Sequence, residues 1–151
     1  MGLPLNQIEF KQHPEVSLAF FDFFPTDWKE TLFPQWERLS STTKAYFLEY
    51  HSEVITVGLV FSKNYPEFSA VEKEAFSCLA PMPYLGYVFT LPKYRKQGLG
   101  RLWFEQLFKH FPEQNYWLSI EDLNLEQFYL NVGFTLWNTT TLTDEKVFTR
   151  F

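Results

Sequence analysis

The sequence predicts a mixed α/β domain, and three patterns carry that class. A β-favouring apolar run over 84–91 ends at Pro92, a helical pattern covers 99–111, and the apolar stretch Tyr116–Ile120 follows, which is the order of a βαβ unit. Two apolar runs, 45–50 and 54–61, stand close enough to form a hairpin ahead of that unit. Two more, 135–141 and 146–151, come after it, with Leu142, Thr143, Asp144 and Glu145 between them. At 151 residues the chain reads as one domain, 1–151, with the length to bury a full core.

Composition narrows the class of function. The 18 Phe, 8 Tyr and 5 Trp call for a heavily aromatic core, with ligand stacking a secondary use. A net charge of -5 argues against non-specific nucleic-acid binding and leaves room for a cationic substrate. Cys78 stands alone, so no intramolecular disulfide is possible, a reducing compartment fits, and no patterned His partner marks it as a nucleophile. No run of about 18 apolar residues offers a membrane span. The first residues lack the basic start of a signal peptide, and Asn6 stands where a myristoylation signal wants Ser or Thr. A cytoplasmic protein without a metal site, monomeric or homodimeric, is the expectation.

The elements follow in order. Residues 7–12 read as a first strand ended by His13 and Pro14, and 14–24 as a helix with Pro14 in its first turn. A second helix over 28–39, capped by Thr26 or Asp27, carries Trp28, Leu32, Trp36 and Leu39 at helical spacing and is bent or interrupted at Pro34. The hairpin turns at Ser52 and Glu53, and Gly58 within it marks a bulge or a close backbone approach. In the ambiguous 63–83, Ser69 and Glu72 form the pattern of a capping box at the head of a helical run. In the helix over 99–111, Leu102, Trp103, Leu107, Phe108 and Phe111 face a sheet. Tyr116–Ile120 is apolar except for Ser119, as in a strand buried on both faces. Asn124 with Gln127 makes a second capping box, opening a helix that ends at Gly133.

The chemistry concentrates between Gly86 and Arg101. A helix N-terminus presents unpaired N–H groups and partial positive charge, and Gly98 and Gly100 let the backbone approach an anion without a Cβ between them. Lys93, Arg95, Lys96 and Arg101 add positive charge there, against the sign of the whole chain. Taken alone, such a Gly-x-Gly serves equally as a tight connection into a capped helix. It is not a Walker A loop, since no Lys-Ser or Lys-Thr follows Gly100, and it lacks the third glycine of a dinucleotide fingerprint.

Two motifs then resemble the GNAT superfamily of acyl-CoA-dependent N-acetyltransferases. Pro92-Lys93-Tyr94-Arg95-Lys96-Gln97-Gly98-Leu99-Gly100 is similar to the family's Pro-x-Tyr-Arg turn with Arg-x-x-Gly-x-Gly, and Tyr129-Leu130-Asn131-Val132-Gly133-Phe134 to its Tyr-x-x-x-Gly-Phe ending. The resemblance covers roughly 84–134. It implies a mostly antiparallel sheet of six to seven strands, flanked by about four helices, with a central splayed strand pair. It further implies that acetyl-CoA is the acyl donor and a primary amine the acceptor, in a ternary complex. The backbone of Arg95, Lys96, Gln97, Gly98, Leu99, Gly100 and Arg101 would hold the pyrophosphate, and Val88, Phe89 and Thr90 would line the pantetheine arm. An N–H near Phe89 or Thr90 would face the thioester oxygen, and Tyr129 would protonate the departing thiolate. By spacing alone, Tyr129 reads first as a core tyrosine, and the Gly133-Phe134 ending in register turns the reading toward the proton donor.

The sequence departs from the family's pattern in two places. Asp122 stands where many members carry Asn, leaving Asn124 as the residue to contact the pantetheine, and no carboxylate lies on the strand over 84–91. Glu49, His51 and Glu121 are candidate bases, and none is assigned. A non-catalytic acyl-CoA-binding module therefore stands as the alternative, with a partner-binding role for the aromatic helices as a third reading. In the family the acceptor is chosen largely by the segments that correspond here to 20–39 and 63–83, where Asp22 and Asp27 could attract a cation.

Overall fold

The computed structural model describes residues 3–12, 21–62, 65, 68–139 and 145–151. They form a seven-stranded sheet from β1 (Ile8–Gln12), β2 (Thr43–Tyr50), β3 (Glu53–Phe61), β4 (Tyr84–Thr90), β5 (Tyr116–Ile120), β6 (Thr135–Thr139) and β7 (Lys146–Arg150). The spatial order is β1-β2-β3-β4-β5-β7-β6. Every neighbouring pair is antiparallel except β4 and β5, which run parallel because the helix α4 (Leu99–His110) crosses between them. The βαβ unit read from the sequence is thus the centre of the sheet.

Both faces of the sheet are covered. One carries α1 (Thr26–Leu32), α2 (Trp36–Leu39) and α3 (Ala70–Leu79), whose Leu32, Leu39 and Ala75 pack with Phe47, Val57, Leu59 and Trp117. The other carries α4 and α5 (Glu126–Asn131), with Trp103, Phe104 and Leu107 packed on Tyr46, Leu85, Leu118 and Phe148. In β5, Trp117 joins the first cluster while Tyr116, Leu118 and Ile120 join the second, so the strand is buried on both sides.

At the crossing of α4 over the sheet, a Cβ added to Gly58 would lie 2.2 Å from the Trp103 ring. That ring is fixed by its own N–H, which donates to the Tyr46 carbonyl at 3.0 Å. The strand pairing also shifts register between Val57 and Leu59, so Gly58 is both a close approach and the point facing a bulge.

Several local expectations are corrected. The N-cap of α1 is Pro25, with no side-chain cap, and Thr26 and Asp27 lie inside the helix. Pro34 falls in a 3₁₀ turn, Phe33–Gln35, that separates α1 from α2. The β2–β3 turn is at His51 and Ser52, with φ of 49° and 66°, because a two-residue hairpin needs both central residues left-handed to match the strand twist. The Ser69–Glu72 capping box forms, whereas the Asn124–Gln127 box does not. Asp122 caps a 3₁₀ turn, Leu123–Leu125, by accepting from the Asn124 N–H, and Gln127 instead bonds Asn131. The first strand is preceded by a 3₁₀ turn, Leu5–Gln7, and the last ends at Arg150. Most of the helix expected over 14–24, the end of the strand over 135–141 and the turn after it lie outside the described residues.

Candidate active site

β4 and β5 register only at Tyr84 and Trp117, where the Trp117 N–H bonds the Pro83 carbonyl at 3.1 Å, and beyond that the ladder stops. A bulge in β4 accompanies the parting. Phe89 faces Val57 and Gly86 faces Leu59, so β4 carries one residue more than β3. The extra residue is Tyr87, at φ 57°, a conformation uncommon for a bulky side chain. Tertiary contacts impose it: the Tyr87 hydroxyl meets that of Tyr65 at 2.7 Å, and its ring lies edge-on to Trp28 at 5.3 Å.

Backbone alternation then decides which groups face the gap. The Leu91 N–H donates to Ile55 on β3, so Phe89, two residues back, also points to β3. Thr90, and Val88 by the same alternation, turn their backbone to the open edge. Of the expected residues, Phe89 directs its N–H to the β3 ladder and Thr90 directs its own to the open edge. The Thr90 side chain meets Thr56 at 3.0 Å, and its carbonyl accepts from Arg95 Nε at 3.1 Å.

The chain leaves β4 through a 3₁₀ turn, Pro92–Tyr94, pinned to the start of β3. The Tyr94 hydroxyl and the Lys93 ammonium both donate to Glu53, at 2.5 and 2.9 Å, and these two contacts hold the Glu53 carboxyl below its ordinary range. Lys96 and Gly98 both take left-handed φ, 64° and 77°, and α4 opens with the Leu102 N–H bonding the Gly98 carbonyl at 3.0 Å. The earlier N–H groups of the turn have no helical acceptor. They border a pocket of about 230 Å³ lined by Thr90, Tyr94, Arg95, Lys96, Gly98, Leu99, Gly100, Arg101 and Phe128. A Cβ on Gly98 would meet nothing within 4 Å, so its outer side is open.

The four cations are not equally available. Lys93 is held by Glu53, Arg101 by Glu105 at 2.8 Å, and Arg95 lies over the Phe89 ring at 5.0 Å. Among the described residues, Lys96 has no side-chain partner. Gln97 accepts from the Leu3 N–H at 3.1 Å and so points its side chain to the N-terminal segment.

Tyr129, on α5, is enclosed by Phe104, Phe128 and Phe134 at 5.7, 5.1 and 6.0 Å between ring centroids. Burial pushes its phenol up to about 12, and its hydroxyl has no hydrogen-bond partner among the described residues. Its neighbour Phe128 lines the pocket. Asn124 is exposed and is not among the pocket's lining residues.

One constellation was not read from the sequence as a site. Glu72 of α3 accepts from two hydroxyls at the parting of the strands through a single oxygen, Oε2: Tyr84 of β4 at 3.1 Å and Ser119 of β5. Its Oε1 accepts from the Ser69 N–H at 2.9 Å, and the Ser69 hydroxyl donates to Glu145 at 2.8 Å. Burial raises the Tyr84 phenol well above its ordinary value and is also the main reason the Glu145 carboxyl is raised. Ser119, the one polar residue of its strand, was the available signal. Of the earlier base candidates, Glu49 pairs with Lys11 at 2.8 Å, His51 meets Gln7 at 2.9 Å, and Glu121 is exposed.

The Acetyltransferase (GNAT) family model matches residues 12–134. No curated protein sequence matches the chain. Among solved structures, an acetyltransferase from Streptococcus agalactiae is similar at 16% identity and a TM-score of 0.60, over 96% of this chain and 98% of that one. A GNAT family acetyltransferase from Elizabethkingia anophelis, solved with acetyl-CoA bound, is 12% identical with a TM-score of 0.60, over 96% and 98%. The PaiA N-acetyltransferase of Thermoplasma acidophilum, in complex with coenzyme A, is 12% identical with a TM-score of 0.59, over 95% and 98%. At such identities the structural likeness is one of fold, and the family match covers most of the chain: it belongs to the GNAT acetyltransferase family.

Proposed function

We propose that this protein transfers an acetyl group from acetyl-CoA to a primary amine by direct attack in a ternary complex. The observation that carries this reading is that the open edge of β4 and the start of α4 border one pocket. Thr90, at the edge where β4 parts from β5, lines the same pocket as Gly98, Leu99, Gly100 and Arg101 of the helix start. Such a surface suits a ligand with an anionic pyrophosphate at one end and a hydrogen-bonding amide arm behind it.

The turn from Arg95 to Arg101 fits that cosubstrate because Gly98 leaves its outer side open and a helix start leaves its first N–H groups without intrahelical acceptors. Lys96 would add charge. Val88 and Thr90 offer the arm their backbone groups, and one of those N–H groups would stabilise negative charge on the thioester oxygen as the amine attacks. Tyr129 keeps its proton throughout the neutral range and would give it to the leaving thiolate. Asn124 would reach the arm only from the exposed head of α5.

The test is twofold: a melting curve with and without acetyl-CoA, and release of free CoA across a panel of a polyamine, an aromatic amine, an amino acid and a peptide N-terminus. The expected result is a raised melting temperature with turnover of at least one acceptor. An unchanged curve in excess acetyl-CoA overturns the reading. A raised curve with no turnover of any acceptor reduces it to a non-catalytic acyl-CoA-binding module.

A further inference from the structure

We infer that Ser119, held by Glu72, takes the proton from the acceptor amine. This inference rests on the acetyl-transfer reading above and supplies the base that β4 lacks.

Position is the first argument. Counting forward along the parallel strands from the Tyr84–Trp117 register places Ser119 level with Gly86, one residue before the bulge at Tyr87. The Ser119 side chain lies on the same side of β5 as Trp117, the face of α1, α2 and α3. The anion pocket is lined instead by Leu99 and Phe128, which belong to the side of α4 and α5. A donor bound along α4 therefore leaves the face of Ser119 and Glu72 to the second reactant.

Chemistry is the second. Glu72 Oε2 receives the hydroxyls of Tyr84 and Ser119, and Oε1 receives the Ser69 N–H. The Ser119 hydroxyl, which Tyr84 and Glu145 also contact, gives its hydrogen to the Glu72 carboxylate, and a lone pair of Ser119 Oγ is then the acceptor for an N–H from an amine. Ser119 and Glu72 are both only part-buried, so a ligand can reach them. The groups facing Glu72 are Tyr84 from β4, Ser119 from β5 and Ser69 at the head of α3, with Glu145, just before β7, joined through both Ser69 and Ser119, and with the charge of Glu121 acting on Glu145.

The amine lone pair forms the N–C bond to the acetyl carbonyl carbon, and the C–S bond breaks with its electron pair going to sulfur, which takes the Tyr129 proton. The surplus proton on nitrogen passes to Ser119 Oγ while the Ser119 proton passes to Glu72 Oε2. Solvent then returns a proton to Tyr129 and removes one from Glu72, leaving amide and thiol. Ser119 is the catalytic residue, and Glu72, acting through it, is the positioning residue.

Ser119→Ala and Glu72→Gln test the inference, the glutamine preserving an acceptor for the capping box. With acetyl-CoA and whichever panel amine the wild type acetylates best, kcat is expected to fall on the order of 100-fold in each variant. The acetyl-CoA melting shift and the acetyl-CoA KM are expected to persist, and the double variant to be no slower than either single one. Wild-type kcat in either variant, or a loss that tracks a lost acetyl-CoA shift, overturns the inference while leaving the acetyltransferase reading intact. A wild type that acetylates no amine of the panel overturns it together with that reading.

Discussion

Tyr129 shows how one environment sets both availability and protonation. Partial burial among three aromatic rings pushes the phenol up to about 12, so it stays protonated throughout the neutral range. Tyr129→Phe keeps the ring packing and removes the proton. The expected outcome is a kcat lowered on the order of 100-fold with the acetyl-CoA KM unchanged, read from initial rates of CoA release. Stability gives an independent check on the same shift. The folded pKa lies above the unfolded value near 10, so the contribution is fully present below pH 10 and is lost as pH rises toward 12. At pH 11 that loss is about 1.4 kcal/mol. Urea midpoints at pH 8 and pH 11 should therefore differ less in Tyr129→Phe than in the wild type. Tyr46, Tyr84 and Tyr116, also raised chiefly by burial, keep a residual slope in both. Equal slopes would show that Tyr129 titrates normally.

Among the elements, β3 and α4 meet where Gly58 admits the Trp103 ring, and the Trp103 hydrogen bond to Tyr46 prevents the ring from yielding. Gly58→Ala should cost about 2–3 kcal/mol and lower the melting temperature by roughly 5–10 °C, measured by thermal and urea unfolding. An undiminished melting temperature would mean that the crossing repacks freely. The sequence already pointed to this glycine, because a strand interior with no side chain implies something close by. The βαβ order was equally legible, since Pro92, the two glycines and the change of period from 2 to 3.6 are local signals. The bulge at Tyr87 was not, because no glycine marks it, and its left-handed backbone is imposed from a distance by Tyr65 and Trp28. Glu72 was read only as half of a capping box. One of its oxygens satisfies that local role, and the other serves β4 and β5, which only the folded sheet brings to it. Asp122 and Asn124 carry similar capping chemistry two residues apart, and the 3₁₀ turn Leu123–Leu125 takes Asn124 inside it and leaves Asp122 at its cap.

For the molecule as a whole, the open seam between β4 and β5 means that the middle of the sheet lacks the ladder that joins its other strands. A ligand whose one end sits on the α4 turn and whose arm runs along β4 would replace those missing backbone bonds. It would therefore stabilise the whole fold by mass action. At a hundredfold excess over Kd the gain is about 2.7 kcal/mol, which in a domain of this size raises the melting temperature by roughly 5–11 °C. Gly98→Glu separates this linkage from simple damage. Its backbone φ of 77° makes any side chain cost about 1–2 kcal/mol, and the open space around the would-be Cβ lets a carboxylate occupy the region where a phosphate would bind. The unliganded variant should melt a few degrees lower than the wild type, yet show no response to acetyl-CoA at concentrations that saturate the wild type. If it shifted as the wild type does, the turn before α4 would not be the phosphate site, and the stabilising contacts would have to be sought elsewhere along the seam.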